Sequence, residues 1–213
     1  MRDFSYIGVM AKYVSVLVVN PAVPVISMAE LIAYAKKNPD KLTYASAGIA
    51  TTGHLLGETL KDAAQIRMIH LPSSGGTATG LRDLIGGHMP VGILSIASVA
   101  SLIKSEKLRA LAVFEKERYR EFPDIPSLKE VVPNIDLRPA WYGLIGPAGI
   151  PAAIVSRLHD DARKTVRTPE IRSKLESVGL EILGGSSQEF ASLVKDDITA
   201  WTRVVKVAGI RVE

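Results

Sequence analysis

The sequence predicts an α/β fold with mostly parallel sheets, and three observations carry that reading. From residue 14 onward, β-branched apolar runs alternate with segments of helical periodicity. Capping signals open several of the helical segments, as in Ser27-x-x-Glu30 and Ser127-x-x-Glu130. Proline or glycine closes segments of both kinds, a strand at Asn20-Pro21 and helices at Asn38-Pro39 and Gly86-Gly87. Strands and helices alternating at this spacing make βαβ units, whose crossovers bring successive strands into parallel register.

The elements follow in order. Val14 to Val19 reads as a buried strand, and the capping box at Ser27 starts a helix with Met28, Leu31, Ile32 and Ala35 on one face. Lys41 to Ala45 is a short strand, Thr51 to Ala64 a helix, and Arg67 to His70 another strand. Leu81, Leu84 and Ile85 mark a helix that Gly86-Gly87 can end in the left-handed conformation. Val91 to Leu94 and Arg109 to Phe114 are strands, with a helix around Ser98 to Lys104 between them. The texture then changes. Glu115 to Glu121 is a charged stretch, Phe122-Pro123-Asp124-Ile125-Pro126 a rigid loop, and Ser127 caps a short helix. Arg138 to Gly146 is a strand, followed by helices at Pro151–Arg167, Pro169–Val178 and Ser187 to about Ala208. Two of these begin with proline, whose missing N–H costs nothing in the first turn. The last carries Phe190, Leu193, Val194, Ile198, Trp201 and Val205 on one broad face, with Trp201 expected in the core. A domain boundary is expected near residue 114.

Composition narrows the function. A chain of 213 residues, 47% hydrophobic and 23% charged, can bury a real core. No apolar stretch reaches the 18 residues of a bilayer-spanning helix. Zero cysteines excludes a disulfide scaffold, a thiol nucleophile and a Cys-ligated metal, and suits a thiol-oxidising compartment. The net charge of +4 is scattered along the chain, which is no footprint for nucleic acid. Met1-Arg2-Asp3-Phe4 does not read as a basic segment before an apolar one, so no signal peptide is expected, and the chain as written reads as cytoplasmic.

Catalytic motifs are missing. There is no G-x-S-x-G elbow, no phosphate-binding G-x-x-x-x-G-K-[ST] and no H-E-x-x-H. The four histidines, His54, His70, His88 and His159, lack partners at metal-ligand spacing and read as helix-surface or strand-end residues, so no metal or cofactor is expected. Two loops carry more. Ala45-Ser46-Ala47-Gly48-Ile49-Ala50-Thr51-Thr52-Gly53-His54 runs from a strand into a helix that Thr51 or Thr52 can cap. Leu71-Pro72-Ser73-Ser74-Gly75-Gly76-Thr77 repeats the design. Small residues admit a ligand close to the backbone, and a helix N-terminus offers free N–H groups and partial positive charge to a carboxylate or phosphate. Following successive parallel strands, the two loops would lie side by side at the C-terminal edge of the sheet, where open α/β sheets bind ligands. The three-glycine dinucleotide pattern is absent. Trp141 and Tyr142, on a strand, are either a ligand wall or core.

Several blocks together resemble one family: Leu17-Val18-Val19-Asn20-Pro21 before Met28-Ala29-Glu30-Leu31-Ile32, Leu42-Thr43-Tyr44-Ala45-Ser46-Ala47-Gly48 with His54-Leu55, Leu84-Ile85-Gly86-Gly87, Leu108 to Val113, Trp141-Tyr142-Gly143-Leu144, Pro147 to Pro151, and the closing Trp201 to Ile210. The chain is similar to the substrate-binding proteins of tripartite tricarboxylate transporters, the TctC or Bug family. That resemblance implies a periplasmic-binding-protein-like architecture of two α/β domains, periplasmic, taking a small carboxylate to membrane permease subunits with no cofactor and no bond-making. It also implies that the chain is N-terminally truncated and its first domain incomplete. Residues 14–112 would be a nearly whole second domain, and residues 113–213 the remainder of the first. The remainder would expose a sheet edge and an apolar helical face, which makes a homodimer plausible. Two departures bear on the ligand. Ser73-Ser74 replaces the family's aromatic-basic pair, and Leu94-Ser95 stands where many members have acidic residues and an asparagine, which disfavours an amine-bearing ligand. The expected ligand-binding residues are Ala47, Gly48, Ala50, Thr51, Thr52, His54, Ser73, Ser74, Gly75, Gly76, Thr77 and Ser95, with Trp141 and Tyr142 as a wall. The leading expectation is a carrier of a di- or tricarboxylate or an aromatic acid. The alternatives are an interaction, assembly or sensor protein without useful solute affinity, and a hydrolase reusing a loop serine.

Overall fold

A computed structural model describes residues 2–73 and 75–211. In chain order the elements are β1 (Phe4–Tyr13), β2 (Ser15–Val19), α1 (Met28–Lys37), β3 (Thr43–Ser46), α2 (Thr52–Ala64), β4 (Ile69–Pro72), α3 (Gly76–Ile85), β5 (Val91–Ser95), α4 (Ile96–Lys104) and β6 (Arg109–Val113), then α5 (Leu128–Val131), β7 (Ala140–Pro147), α6 (Ala152–Val166), α7 (Pro169–Ser177), β8 (Leu180–Ile182) and α8 (Ser187–Ala208). The expected elements are all present to within a few residues. β1 and β8 come in addition.

The chain divides into two compact units. One takes the residues up to Tyr13 with Pro139–Thr202, and the other takes Val14–Arg138 with the chain from Arg203 onward. The breaks fall at Val14 and Pro139, so residues 115–138 stay with the strands that precede them. The reason is packing. Val113 forms a parallel bridge with Ser127, its N–H donates to Pro126 O at 3.0 Å, and the Phe114 N–H donates to Ser15 O at 2.8 Å. Tyr119 and Ile125 from the charged stretch and the proline loop are buried in the same cluster as Val16, Val18 and Val113.

In the unit beginning at Val14, five strands lie in the order β4-β3-β5-β2-β6. β3 pairs in parallel with β4 and β5, while β2 pairs antiparallel with both β5 and β6. The sheets are therefore mixed, not mostly parallel. The crossover rule does hold for the strands it joins: β3, β4, β5 and β6 all run one way. β2 alone is reversed, and by lying between β5 and β6 it turns two of the four ladders antiparallel. Every residue of β2 is buried, as a β-branched run covered on both faces should be. Met28, Leu31 and Ala35 of α1 are buried as well, and Ser27 accepts the Glu30 N–H at 3.2 Å. The α3 terminus needs its glycines: Gly86 caps the helix and Gly87 takes φ +75°.

The other unit is built on an antiparallel sheet, β7-β1-β8. β1 pairs with β7 from Phe4↔Pro147 to Tyr13↔Ala140, with two register shifts, and Ala11–Tyr13 pair with β8. Phe190 of α8 is fully buried, edge-on to both Tyr6 and Trp141 at 5.6 and 5.0 Å between ring centres. The broad apolar face of α8 is covered only in part. Ile198 is 49% exposed and Trp201, expected in the core, is half-buried.

Candidate functional site

Three parallel strands end at one edge of the five-stranded sheet. Ser46 of β3 is in register with Pro72 of β4, and Ala45 with Gly92 of β5. Each strand leads into a helix, so the N-termini of α2, α3 and α4 open at this edge. None of the three has a side-chain cap: the cap residues are Thr51, Gly75 and Ser95, and no hydroxyl of theirs takes a first-turn N–H. The other two helices that begin in this unit are capped, α1 by Ser27 and α5 by the full box of Ser127 and Glu130. Uncapped N-termini keep their donors and about half a positive charge each, which suits a carboxylate.

The first loop is fixed from within. Ser46 Oγ donates to Gly48 O at 2.9 Å and accepts the Gly48 N–H at 3.2 Å, and Thr51 Oγ1 donates to Gly48 O at 2.8 Å. The Thr51 hydroxyl does not cap the helix as the sequence suggests; it holds the loop. Gly48 has φ +151° and Ala50 φ +57°, the latter a left-handed conformation that costs a non-glycine residue about 1 kcal/mol. Ala47 and Ile49 are exposed at the tip. Thr52 opens α2, half-buried, and its hydroxyl has no hydrogen-bond partner among the described residues.

The second loop lies beside the first, the Ser73 N–H reaching Ser46 O at 3.4 Å. Ser73 rests on α3 because residue 80 is glycine; a Cβ there would lie 2.5 Å from Ser73 Oγ. Gly75 and Thr77 are exposed, and Gly76, at φ +67°, has open space where a Cβ would point. Ser74 falls outside the described residues. Ser95 ends β5, half-buried, whereas Leu94 beside it belongs to the core.

Beneath the first loop lies a group that no spacing along the chain assembles. His54 and His70, read as surface or strand-end residues, stack with ring centres 3.6 Å apart and planes 12° from parallel. His54 is buried; its Nδ1 accepts the Ala50 N–H at 3.0 Å, and its Nε2 lies 3.8 Å from Glu58 Oε1. His70 Nε2 lies 2.8 Å from Ser46 Oγ. The Tyr44 hydroxyl donates to Glu58 Oε1 at 2.8 Å, and Lys61 Nζ pairs with the same carboxylate at 2.7 Å. Burial holds both imidazoles below the ordinary histidine value, His70 down to about 4 with help from His54 and Lys61, so both rings are neutral at pH 7. Burial and Glu58 push the Tyr44 phenol up. His54 was expected to touch ligand; its ring faces inward and touches the loop backbone. The signal that could have found the stack is positional: His54 starts the helix after β3, and His70 lies on β4, the strand next to β3.

Trp141 and Tyr142 belong to the other unit. Trp141 donates its indole N–H to Asp197 Oδ2 at 2.6 Å and packs on Phe190, which makes it an anchor for α8. Tyr142 is 54% exposed and lies against Tyr13, ring centres 5.6 Å apart. Among the described residues, no group of three or more histidine, cysteine, aspartate or glutamate side chains is placed to hold a metal, and no helix is long and apolar enough to cross a membrane.

The profile of the tripartite tricarboxylate transporter family receptors, TctC, matches residues 1–210. The chain belongs to that family. Its relatives include the UPF0065 protein of the gbd 5' region of Cupriavidus necator, 33% identical over 99% of this chain and 63% of the relative. A UPF0065 protein of a Pseudomonas species is 30% identical over 96% of this chain and 61% of its own length. Among solved TctC-like structures, an R. palustris protein with adipate superposes at a TM-score of 0.85 with 31% identity, over 98% of this chain and 69% of that one. The periplasmic binding protein BugD superposes at 0.84 with 27% identity, over 98% and 70%. The chain thus spans about three fifths of the length of the curated TctC relatives it matches.

Proposed function

We propose that this TctC chain is a solute-binding receptor component that holds a small carboxylate, a di- or tricarboxylate or an aromatic acid, at the β4-β3-β5 edge. It releases the ligand unchanged to the permease subunits of a tripartite transporter, and its place of work is the periplasm. The observation that carries the reading is the meeting of three helix N-termini without side-chain caps at one sheet edge. Backbone N–H groups of Gly76 and Thr77, with the Thr52 hydroxyl and Ser73 and Ser95, supply neutral donors, and no acidic side chain of the two loops opposes an anion. The similar structure with adipate supports a dicarboxylate as the first probe. In domain terms, the unit from Val14 is the second domain of the family, and the unit containing β1 and β7 is the rest of the first.

The test is thermal unfolding of the full chain with adipate, citrate and benzoate. A ligand at about one hundred times its Kd stabilises the fold by about 2.7 kcal/mol, a rise of about 5–10 °C in Tm at this size. A selective rise supports the reading; no rise with any carboxylate overturns it.

A specific observation also favours self-association. β7 is an edge strand, and its Tyr142, Leu144 and Ile145 are 54, 43 and 50% exposed. An apolar edge of that kind is a template for a second strand, and we propose a homodimer through it.

A further inference from the structure

We propose that His54 is the positioning residue of the carboxylate loop: its neutral ring, stacked on His70 and accepting the Ala50 N–H, holds residues 48–51 in their binding conformation, and proton uptake releases that hold. The inference rests on the carboxylate reading above and adds to it a pH-dependent control of the same edge.

A backbone N–H can only donate, so the 3.0 Å bond from Ala50 requires a bare Nδ1 and puts the ring proton on Nε2, which faces Glu58 at 3.8 Å. The next proton can enter only at Nδ1. There it opposes the Ala50 N–H and the bond is lost. Ala50 is the left-handed residue of the loop, at φ +57°, so the segment with backbone strain is the one this bond holds. The bond from Thr51 Oγ1 to Gly48 O holds the other side of the turn.

The surrounding charges make His54 a sensor that stays closed at neutral pH. On its own helix, Glu58 favours the cation and Lys61 opposes it, with burial the largest opposing effect. Tyr44 from β3 takes up part of the Glu58 carboxylate through its hydroxyl. His70 from β4, stacked at 3.6 Å, allows no second cation beside a first. The Ser46 hydroxyl proton goes to Gly48 O, so His70 Nε2 donates to Ser46 Oγ whether the ring is neutral or charged, and its protonation at Nδ1 leaves the Ser46 contact intact. Of the two rings, only His54 makes a loop bond that a proton breaks.

The experiment compares the 213-residue chain with His54→Asn, whose amide oxygen replaces Nδ1 as an acceptor but does not titrate, and with His54→Leu, which cannot accept. Amide exchange of Ala50 is read by NMR without ligand, and the affinity for adipate from pH 7.5 to 4.5. The expected result is a protected Ala50 amide in wild type and His54→Asn, and a fast-exchanging one in His54→Leu. The ratio of wild-type to His54→Asn affinity is expected to fall about threefold or more across the range, the titration of adipate itself being common to both. If His54→Leu does not fold, the ¹⁵N shifts of the wild-type ring decide: a protonated Nδ1 at pH 7.5 overturns the proposal. Parallel pH profiles for wild type and His54→Asn overturn it too. Should no carboxylate bind wild type at any pH, the functional reading fails, while the Ala50 exchange still decides whether His54 holds the loop.

Discussion

The Thr51 hydroxyl works on the loop backbone of the proposed carboxylate site. Its Oγ1 lies 2.8 Å from Gly48 O and 3.4 Å from Ser46 Oγ, so it closes the turn that aims the α2 N-terminus. Thr51→Ala should weaken binding of the best carboxylate by about 1 kcal/mol, the usual net worth of one hydrogen bond, and Thr51→Ser should restore it; isothermal titration reads both. His70 carries a prediction about stability. Its folded value of about 4 lies below the 6.5 of the unfolded chain, so between those values the unfolded state binds more protons. Its contribution is whole above pH 6.5 and is lost as the pH falls toward 4. The Tm of wild type should therefore drop more steeply over that window than the Tm of His70→Gln, which keeps a partner for Ser46 without titrating. Equal slopes would show that the imidazole is not held neutral.

Among the elements, α2 is seated by glycines. A Cβ at Gly53 would lie 2.5 Å from the carbonyl oxygen of Ile93 in β5, and one at Gly57 would enter the Tyr44 ring. These absences of side chain let the helix start directly over the strands. Gly53→Ala should cost about 1–3 kcal/mol of stability, as overpacking against backbone does, and should lift the N-terminus off β5, lowering carboxylate affinity as well; denaturant unfolding and titration check the two effects. The elements were legible because their signals are local: the Ser27 and Ser127 caps, the buried run of β2 and the Gly86-Gly87 stop all stand where the residues put them. β8, three residues long, offered no period to detect. β1 has a dense apolar run, yet it finds its partners in β7 and β8, more than a hundred residues on.

For the whole molecule, the two units differ in how well they cover themselves. α6 and α7 have no fully buried residue, and β7 leaves Tyr142, Leu144 and Ile145 exposed. Analytical ultracentrifugation should find a concentration-dependent dimer, and Leu144→Lys should return the chain to a monomer while the adipate-induced Tm shift persists. A monomer at every concentration would remove the β7 interface.

By itself the sequence determined the α/β class, the helix boundaries, the family and the two small-residue loops, because each is written in residues close together along the chain. Only the tertiary structure decided the reversal of β2, the place of residues 115–138 and the union of His54 with His70. Strand order depends on which edges meet, and Tyr119 and Ile125 join a core that reaches back to Val14, more than a hundred residues earlier. The histidine stack depends on the first turn of α2 and the neighbouring strand β4 meeting at one point, and local periodicity carries no record of that meeting.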